Sequence, residues 1–296
     1  MPGRPPQPPG LLVVKVGGSC LEQLGPEWWD ALTALVRGSD RPATATSGGD
    51  GGDGHASRSR TKLVVVHGWS RMVSAATPEG QPDFIVDKHG FRSRYTTAEV
   101  LEEIERVAGD LRERIAELLR KRGLRAAAVS GAETRLLHAE VRQNMWWVGD
   151  ELVPLTNLVG PVREVDRARL DVLLAESDAV VVSPLAVTAE HPRVNTDADR
   201  AAAAIAGAGD AERLALVMDA EAVLADGEPV RAAARADLKE LARHATGGMS
   251  KKLGAVEEAF AGGVREVAIG SATVPDLLAG RAGTLITAEP DPSPAR

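Results

Sequence analysis

Continuous β-branched runs, apolar stripes at helical spacing and glycine-bearing turns alternate along this chain. Leu11 to Val16 is the first continuous run, interrupted only by Lys15, and it leads into Gly17, Gly18 and Ser19. Lys62 to Val66, Leu124 to Val129, Ala179 to Val182, Leu214 to Met218 and Val267 to Ile269 repeat the pattern, as strands buried on both faces do. Thr284 to Thr287 is read as closing the sheet.

Between these runs the period changes. Pro26 to Arg37 places Trp28, Leu32, Leu35 and Val36 on one helical face, with the proline in a first turn that tolerates it. Thr97 to Arg122 carries Val100, Ile104, Val107, Leu111, Ile115 and Leu118 in one stripe and ends at Gly123. That stripe serves a core or a dimer contact. Val165 to Ala175, an alanine-rich stretch up to about Gly207, Leu238 to Ala245, and Gly247 to Phe260 are further helices. Phe84 to Val86 and Phe91 to Tyr95, around Asp87 to Gly90, predict a hairpin from which Arg92 and Arg94 project. Gln143 to Val153, around Gly149 and Asp150, predicts a second; its Trp146 and Trp147 are read first as packing residues. Strands alternating with helices imply an α/β protein, a three-layer α/β/α sandwich on a mostly parallel sheet.

Composition narrows the function. With 296 residues the chain buries a real core, as one large α/β domain or two lobes on one continuous sheet. A formal charge of −7 with no concentrated basic run argues against nucleic acid or an anionic membrane as the main partner. The single cysteine, Cys20, precludes an internal disulfide and suits a reducing cytoplasm; it reads as a small packing residue. Residues 1–10 are proline-rich, lack a signal peptide's apolar core and read as a disordered leader, no run is long enough to span a bilayer, and 288–296 reads as a disordered tail. Residues 38–60 have almost nothing to bury and predict a surface insertion. Within it, Asp50 to Gly54 lacks the closing bidentate carboxylate of a calcium loop, so no metal is assigned.

Lys15 and the turn after it put an ammonium and backbone N–H groups within reach of one anion, although a strand followed by a turn needs no ligand. Gly68, after the second strand, can converge on the same sheet end, where parallel α/β folds keep their ligands. The chain has neither a P-loop nor a dinucleotide fingerprint, so a phosphate site here would be built from dispersed lysines. Lys252 and Asp199, taken singly, also read as ordinary helix charges, Arg94 as a hairpin surface residue and Asn195 as a helix cap.

Taken in order, VVKVGG (Val13 to Gly18), VVVHG (Val64 to Gly68), NTDAD (Asn195 to Asp199), GMSKK (Gly248 to Lys252) with Gly254 and Ala255, and GTLI (Gly283 to Ile286) resemble the amino acid kinase family. Within it the chain resembles the acetylglutamate kinase group, and most closely the branch acting on aminoadipate or glutamate attached through its amino group to a carrier protein. Ser70 and Ser93 to Thr96 favour that branch. The resemblance covers about Leu11 to Thr287 and implies an acidic-substrate lobe (about 11–210) and a nucleotide lobe (about 211–287). It implies ATP, with Mg2+ carried by the phosphates, as co-substrate. Lys15 and Lys252 would flank the transferring phosphoryl group, and Asp199 would hold both. Gly17, Gly18, Gly68, Trp69 and Ser70 would bind phosphoryl and substrate oxygens. Arg94 and Asn195 would bind the α-carboxylate side of the substrate, and Met218, Asp219, Gly248 and Met249 would line the nucleotide site. The acceptor would be the side-chain carboxylate of an N-blocked acidic amino acid, on a route to lysine or arginine. A small acidic carrier would meet Lys88, His89, Arg92 and Arg94, and the chain would form a homodimer or larger ring.

Trp69 stands where the family has glycine, Ala220 to Ala222 where it tends to a valine and a glycine, and Gly270 and Ser271 where it has an acidic–glycine pair. If φ > 0 were required at position 69, the indole would change the turn or close over a different substrate. Two rivals remain: a kinase of free acetylglutamate, and a catalytically silent homologue that binds a carrier or effector.

Overall fold

The computed structural model describes residues 10–38, 61–69, 72–73, 82–90, 92–141, 144–245 and 248–289. Most of the expected leader, insertion and tail, together with Ser70, lie outside these residues. The strands of the central sheet, numbered in chain order, are β1 (Leu11–Val16), β2 (Lys62–His67), β3 (Ala126–Ser130), β4 (Ala179–Ser183), β5 (Arg213–Val217), β6 (Ala232–Ala234), β7 (Glu266–Gly270) and β8 (Thr284–Thr287). Their spatial order is β6-β8-β7-β5-β1-β2-β4-β3, and every pair is parallel except β7 with β8. The helices are α1 (Pro26–Arg37), α2 (Ala98–Lys121), α3 (Arg167–Glu176), α4 (Ala198–Ala208), α5 (Leu238–His244), α6 (Gly248–Ala261) and α7 (Val274–Leu278).

The alternation of side chains along β1 sorts the core into two halves. Leu12, Val14 and Val16 face a cluster shared with Trp28, Leu32, Ile104, Ile115 and Leu277, contributed by α1, α2 and α7. Leu11 and Val13 face the opposite cluster, with Leu170, Ala201, Ile205, Val256 and Phe260 from α3, α4 and α6. Lys15 continues the second row, so its amine points toward the layer that holds α4 and α6. The three-layer, mostly parallel fold expected from the alternation is the fold observed.

Local signals set the helix boundaries. Thr97 caps α2 by accepting from the Val100 N–H at 3.3 Å, and Gly123, with φ +77°, follows its end. Asp197 caps α4 through the N–H groups of Asp199 and Arg200 at 2.9 and 3.1 Å.

Three expectations are corrected. Val165 belongs to a strand, Val162–Val165, paired with Leu137–Ala139; helix α3 begins at Arg167 because Asp166 caps it. Thr284–Thr287 does not close the sheet, since β6 pairs beyond it; three consecutive alanines carry neither β-branching nor alternation to announce a strand. The Phe84–Asp87/Arg92–Arg94 and Asn144–Val148/Glu151–Leu155 hairpins form as expected and join into one four-stranded sheet. Arg94, however, does not project: it is buried against the Phe84 ring, 4.9 Å from its centroid, with Asp83 at 3.6 Å.

Candidate active site

Parallel strands deliver their carboxyl ends to one edge, and here β1, β2 and β5 end side by side. Gly17 donates to the Val217 carbonyl at 3.0 Å and Gly68 to the Val16 carbonyl at 3.0 Å, which ties the three turns together. The first two turns touch through backbone: a Cβ on Gly18 would sit 2.6 Å from the Gly68 oxygen and 2.9 Å from the Trp69 nitrogen. Glycine is required at 18 by this close approach and not by a positive φ.

Trp69 resolves its own question. Its φ is not positive, its indole is 4% exposed, and it packs in the cluster beneath α2, edge-on to His67 at 5.8 Å between ring centroids. The turn therefore accepts a tryptophan without a positive φ, and the side chain is buried in the core. Its carbonyl accepts from Met72 and Val73, beginning a helical turn. Burial pushes His67 down to about 3, so its imidazole stays neutral; its Nε2 lies 3.0 Å from Ser183 Oγ, which donates to the Ala108 carbonyl. Cys20 donates to the Gly17 carbonyl at 3.1 Å, and burial raises its thiol, in keeping with a packing residue.

Three charged side chains meet over this edge. Lys15 Nζ lies 2.8 Å from Asp199 Oδ1, and Lys252 Nζ lies 2.7 Å from Asp199 Oδ2. Their side chains are 9%, 11% and 14% exposed in the order Lys15, Asp199, Lys252. Burial works against the Asp199 carboxylate, but the two ammonium groups outweigh it and bring its pKa down to about 2. The α4 N-terminus beneath it adds favourable dipole. Burial also opposes charge on Lys15, where the aspartate prevails and the pKa rises; on Lys252, burial and the neighbouring Lys15 prevail and the pKa falls. The trio carries a net charge of +1 from one carboxylate and two ammonium groups. A partly dehydrated surplus cation beside glycine turns suits a phosphate.

Arg94 and Asn195 are joined through Thr96. Its hydroxyl donates to the Arg94 carbonyl at 3.3 Å and accepts from Asn195 Nδ2 at 3.4 Å. Asn157, which sequence reasoning missed, holds this arrangement: its Oδ1 accepts from the Thr96 N–H at 2.7 Å, and its Nδ2 donates to the Arg94 carbonyl at 2.9 Å and to Ser93 Oγ at 3.4 Å. No local pattern marks an asparagine between a strand and a loop as a keystone; only its 1% exposure does. Lys251, next to Lys252, donates to the Arg92 carbonyl at 2.5 Å and so links α6 to the first hairpin. Met218 is buried at the end of β5, where its N–H donates to the Gly270 carbonyl at 2.9 Å; Asp219 beside it is exposed. Gly248 and the half-buried Met249 open α6. Ser70 lies outside the described residues.

Known proteins resemble this chain in sequence and in fold. The profile of the amino acid kinase family matches residues 10–271. A LysW-aminoadipate/LysW-glutamate kinase of Saccharolobus islandicus is 33% identical over 216 residues, 71% of this chain and 82% of that protein. Its counterpart from Saccharolobus solfataricus is 32% identical over the same shares of both chains. Among solved structures, N-acetylglutamate synthase from Neisseria gonorrhoeae superposes with a TM-score of 0.69 at 21% identity, over 95% of this chain and 62% of that one. Carbamate kinase from Giardia lamblia superposes with a TM-score of 0.60 at 13% identity, over 94% and 98%. Among the described residues, no helix is long and apolar enough to cross a membrane.

Proposed function

This chain belongs to the amino acid kinase family and is a phosphotransferase acting on a carboxyl group, and we propose that it phosphorylates the side-chain carboxylate of an N-blocked acidic amino acid. On this reading the acid is glutamate, aminoadipate or a close relative attached through its amino group to a small acidic carrier, and the product is an acyl phosphate. The observation that carries the proposal is the pairing of two lysines, 237 positions apart by number (252 minus 15), on one buried aspartate. Residues 11–210 would bind the acid and 211–287 the nucleotide, on one sheet.

A carboxylate is already ionised near neutral pH, so the reaction needs no general base, and the neutral, buried His67 does not offer one. The obstacle is repulsion between an anion and a polyanion. Lys15 and Lys252 would flank the equatorial oxygens of the transferring group, held apart and in place by Asp199. Gly18, Trp69 and Ser70 would present backbone N–H groups at the same oxygens; the N–H groups of Gly17 and Gly68, expected to do the same, are given to the Val217 and Val16 carbonyls and instead hold the turns in place. Arg94 and Asn195 would receive the α-carboxylate side of the acid. Met218, Asp219, Gly248 and Met249 would line the site of ATP, which brings the phosphoryl group and Mg2+ on its phosphates. The exposed Lys88, His89 and Arg92 form the basic edge for a carrier; Arg94 is withdrawn from that edge by its burial.

Hydroxylamine capture of acyl phosphate, run with ATP and free N-acetylglutamate, carrier-linked glutamate or carrier-linked aminoadipate, tests the reading. Mass spectrometry of the carrier adduct identifies the acceptor. Turnover of the carrier-linked acids is expected, and turnover of free N-acetylglutamate alone would overturn the carrier assignment.

A further inference from the structure

Trp147 and Leu152 are large apolar side chains that stand 44% and 38% exposed, and they are direct cross-strand partners. Exposed apolar residues scattered singly are ordinary, but an opposed pair makes a patch. The register extends it. Trp147 opposes Val86, Val86 opposes Arg92, and one pleat further Phe84 opposes Arg94. Opposed residues and residues two apart share a face, so these six side chains form one surface of the four-stranded sheet, from exposed Trp147 to buried Arg94. Trp146 points to the other face and is buried.

The charge of this face is as definite as its shape. The Arg92 guanidinium lies 3.7 Å from the Phe84 ring centroid, and Lys88 and His89 stand exposed at the adjoining turn. A chain with a net charge of −7 thus sets Arg92, Lys88 and His89 on or beside the face that carries Trp147 and Arg94, while its exposed Asp150 and Glu151 stand at the turn that joins Trp147 to Leu152. Lys251 holds the Arg92 carbonyl, anchoring that face to the helix that carries Lys252.

We infer that this face docks the acidic carrier polypeptide, with Trp147 and Leu152 as the apolar anchor and Arg92, Lys88 and His89 as the basic rim. The inference rests on the carrier-linked reading of the substrate. An isologous contact with a second copy would set the same basic groups against themselves, whereas an acidic polypeptide complements them. An aromatic centre with an arginine beside it is also the composition that dominates binding energy at protein interfaces.

The test is fluorescence anisotropy of labelled acidic carrier, with and without glutamate attached, titrated with wild type, the Trp147→Ser/Leu152→Ser double variant and Arg92→Glu. The double variant is expected to bind both carrier forms at least about thirtyfold more weakly, the loss of one interface anchor. Its turnover at saturating charged carrier should stay within about twofold of wild type, because the pair lies outside the phosphoryl-transfer site. Arg92→Glu should bind with a shallower salt dependence than wild type. Trp147→Ser alone serves if the double variant loses its native circular dichroism. Unchanged affinity in the folded variant, no binding by wild type, or a shift in oligomeric state in place of affinity overturns the inference. Wild type that binds carrier through this pair but forms no acyl phosphate upholds the face and sinks the substrate reading instead.

Discussion

Asp199→Asn removes the negative charge between Lys15 and Lys252 while keeping the shape of the side chain. In the wild type the carboxyl sits at about 2 against an ordinary 3.8, worth roughly 2 kcal/mol of native stability. Because the folded value is the lower one, that contribution is complete above about pH 4 and disappears as the pH falls toward 2. In the variant, two ammonium groups previously held 2.8 and 2.7 Å from one carboxylate face each other without it. At an effective dielectric near 20 and a few ångströms apart, they repel by about 3–4 kcal/mol. Proton release sets a ceiling: at pH 7.5, a lysine with an ordinary value near 10.5 gives up its proton for about 4 kcal/mol. The variant should therefore unfold about 3–4 kcal/mol more easily at neutral pH. It should regain stability toward pH 10, since its folded state binds fewer protons than its unfolded state. With one cation neutral or displaced, acyl-phosphate formation should fall by about 10²–10³. Urea unfolding at several pH values and hydroxamate capture measure the two effects. A variant with wild-type stability at neutral pH, no gain toward pH 10 and turnover within about tenfold of wild type would refute the reasoning.

Lys15→Ala and Lys252→Ala should each abolish acyl-phosphate formation while circular dichroism reports a native fold; near-normal turnover in both removes the proposed mechanism. Gly18→Ala forces a Cβ to within 2.6 Å of the Gly68 oxygen, so urea denaturation should show a loss of about 1–3 kcal/mol, together with weaker ATP binding by calorimetry. Asn157→Ala leaves the buried Thr96 N–H without its acceptor and removes one of the two donors to the Arg94 carbonyl, costing about 1–3 kcal/mol and raising KM for the acid more than KM for ATP. Asn157→Asp keeps the acceptor for Thr96 but turns a carboxylate oxygen on the Arg94 carbonyl in a buried site, and steady-state kinetics should place it no better than Asn157→Ala.

Periodicity alone determined much of this protein. Continuous runs such as Val13 to Val16 and Val64 to Val66 specify buried parallel strands because both faces of such strands are covered, and the stripe from Val100 to Leu118 specifies a long amphipathic helix for the same reason of burial. The five ordered motifs marked Lys15, Asp199 and Lys252 as one set. What they did not contain was distance. Only the parallel register of β1, β2 and β5, with α4 and α6 layered above, decided that the two lysines reach opposite oxygens of one carboxylate. The indole of Trp69 could be placed only by knowing what lies beneath the turn, and the withdrawal of Arg94 only by the ring and carboxylate beside it. Asn157 carried no signal in its neighbours along the chain, because a buried amide acquires its role from hydrogen-bond partners about sixty residues away. Local pattern reports which face of an element is covered. The groups that meet there are set by long-range packing, and it is their meeting that fixes charge state and chemistry.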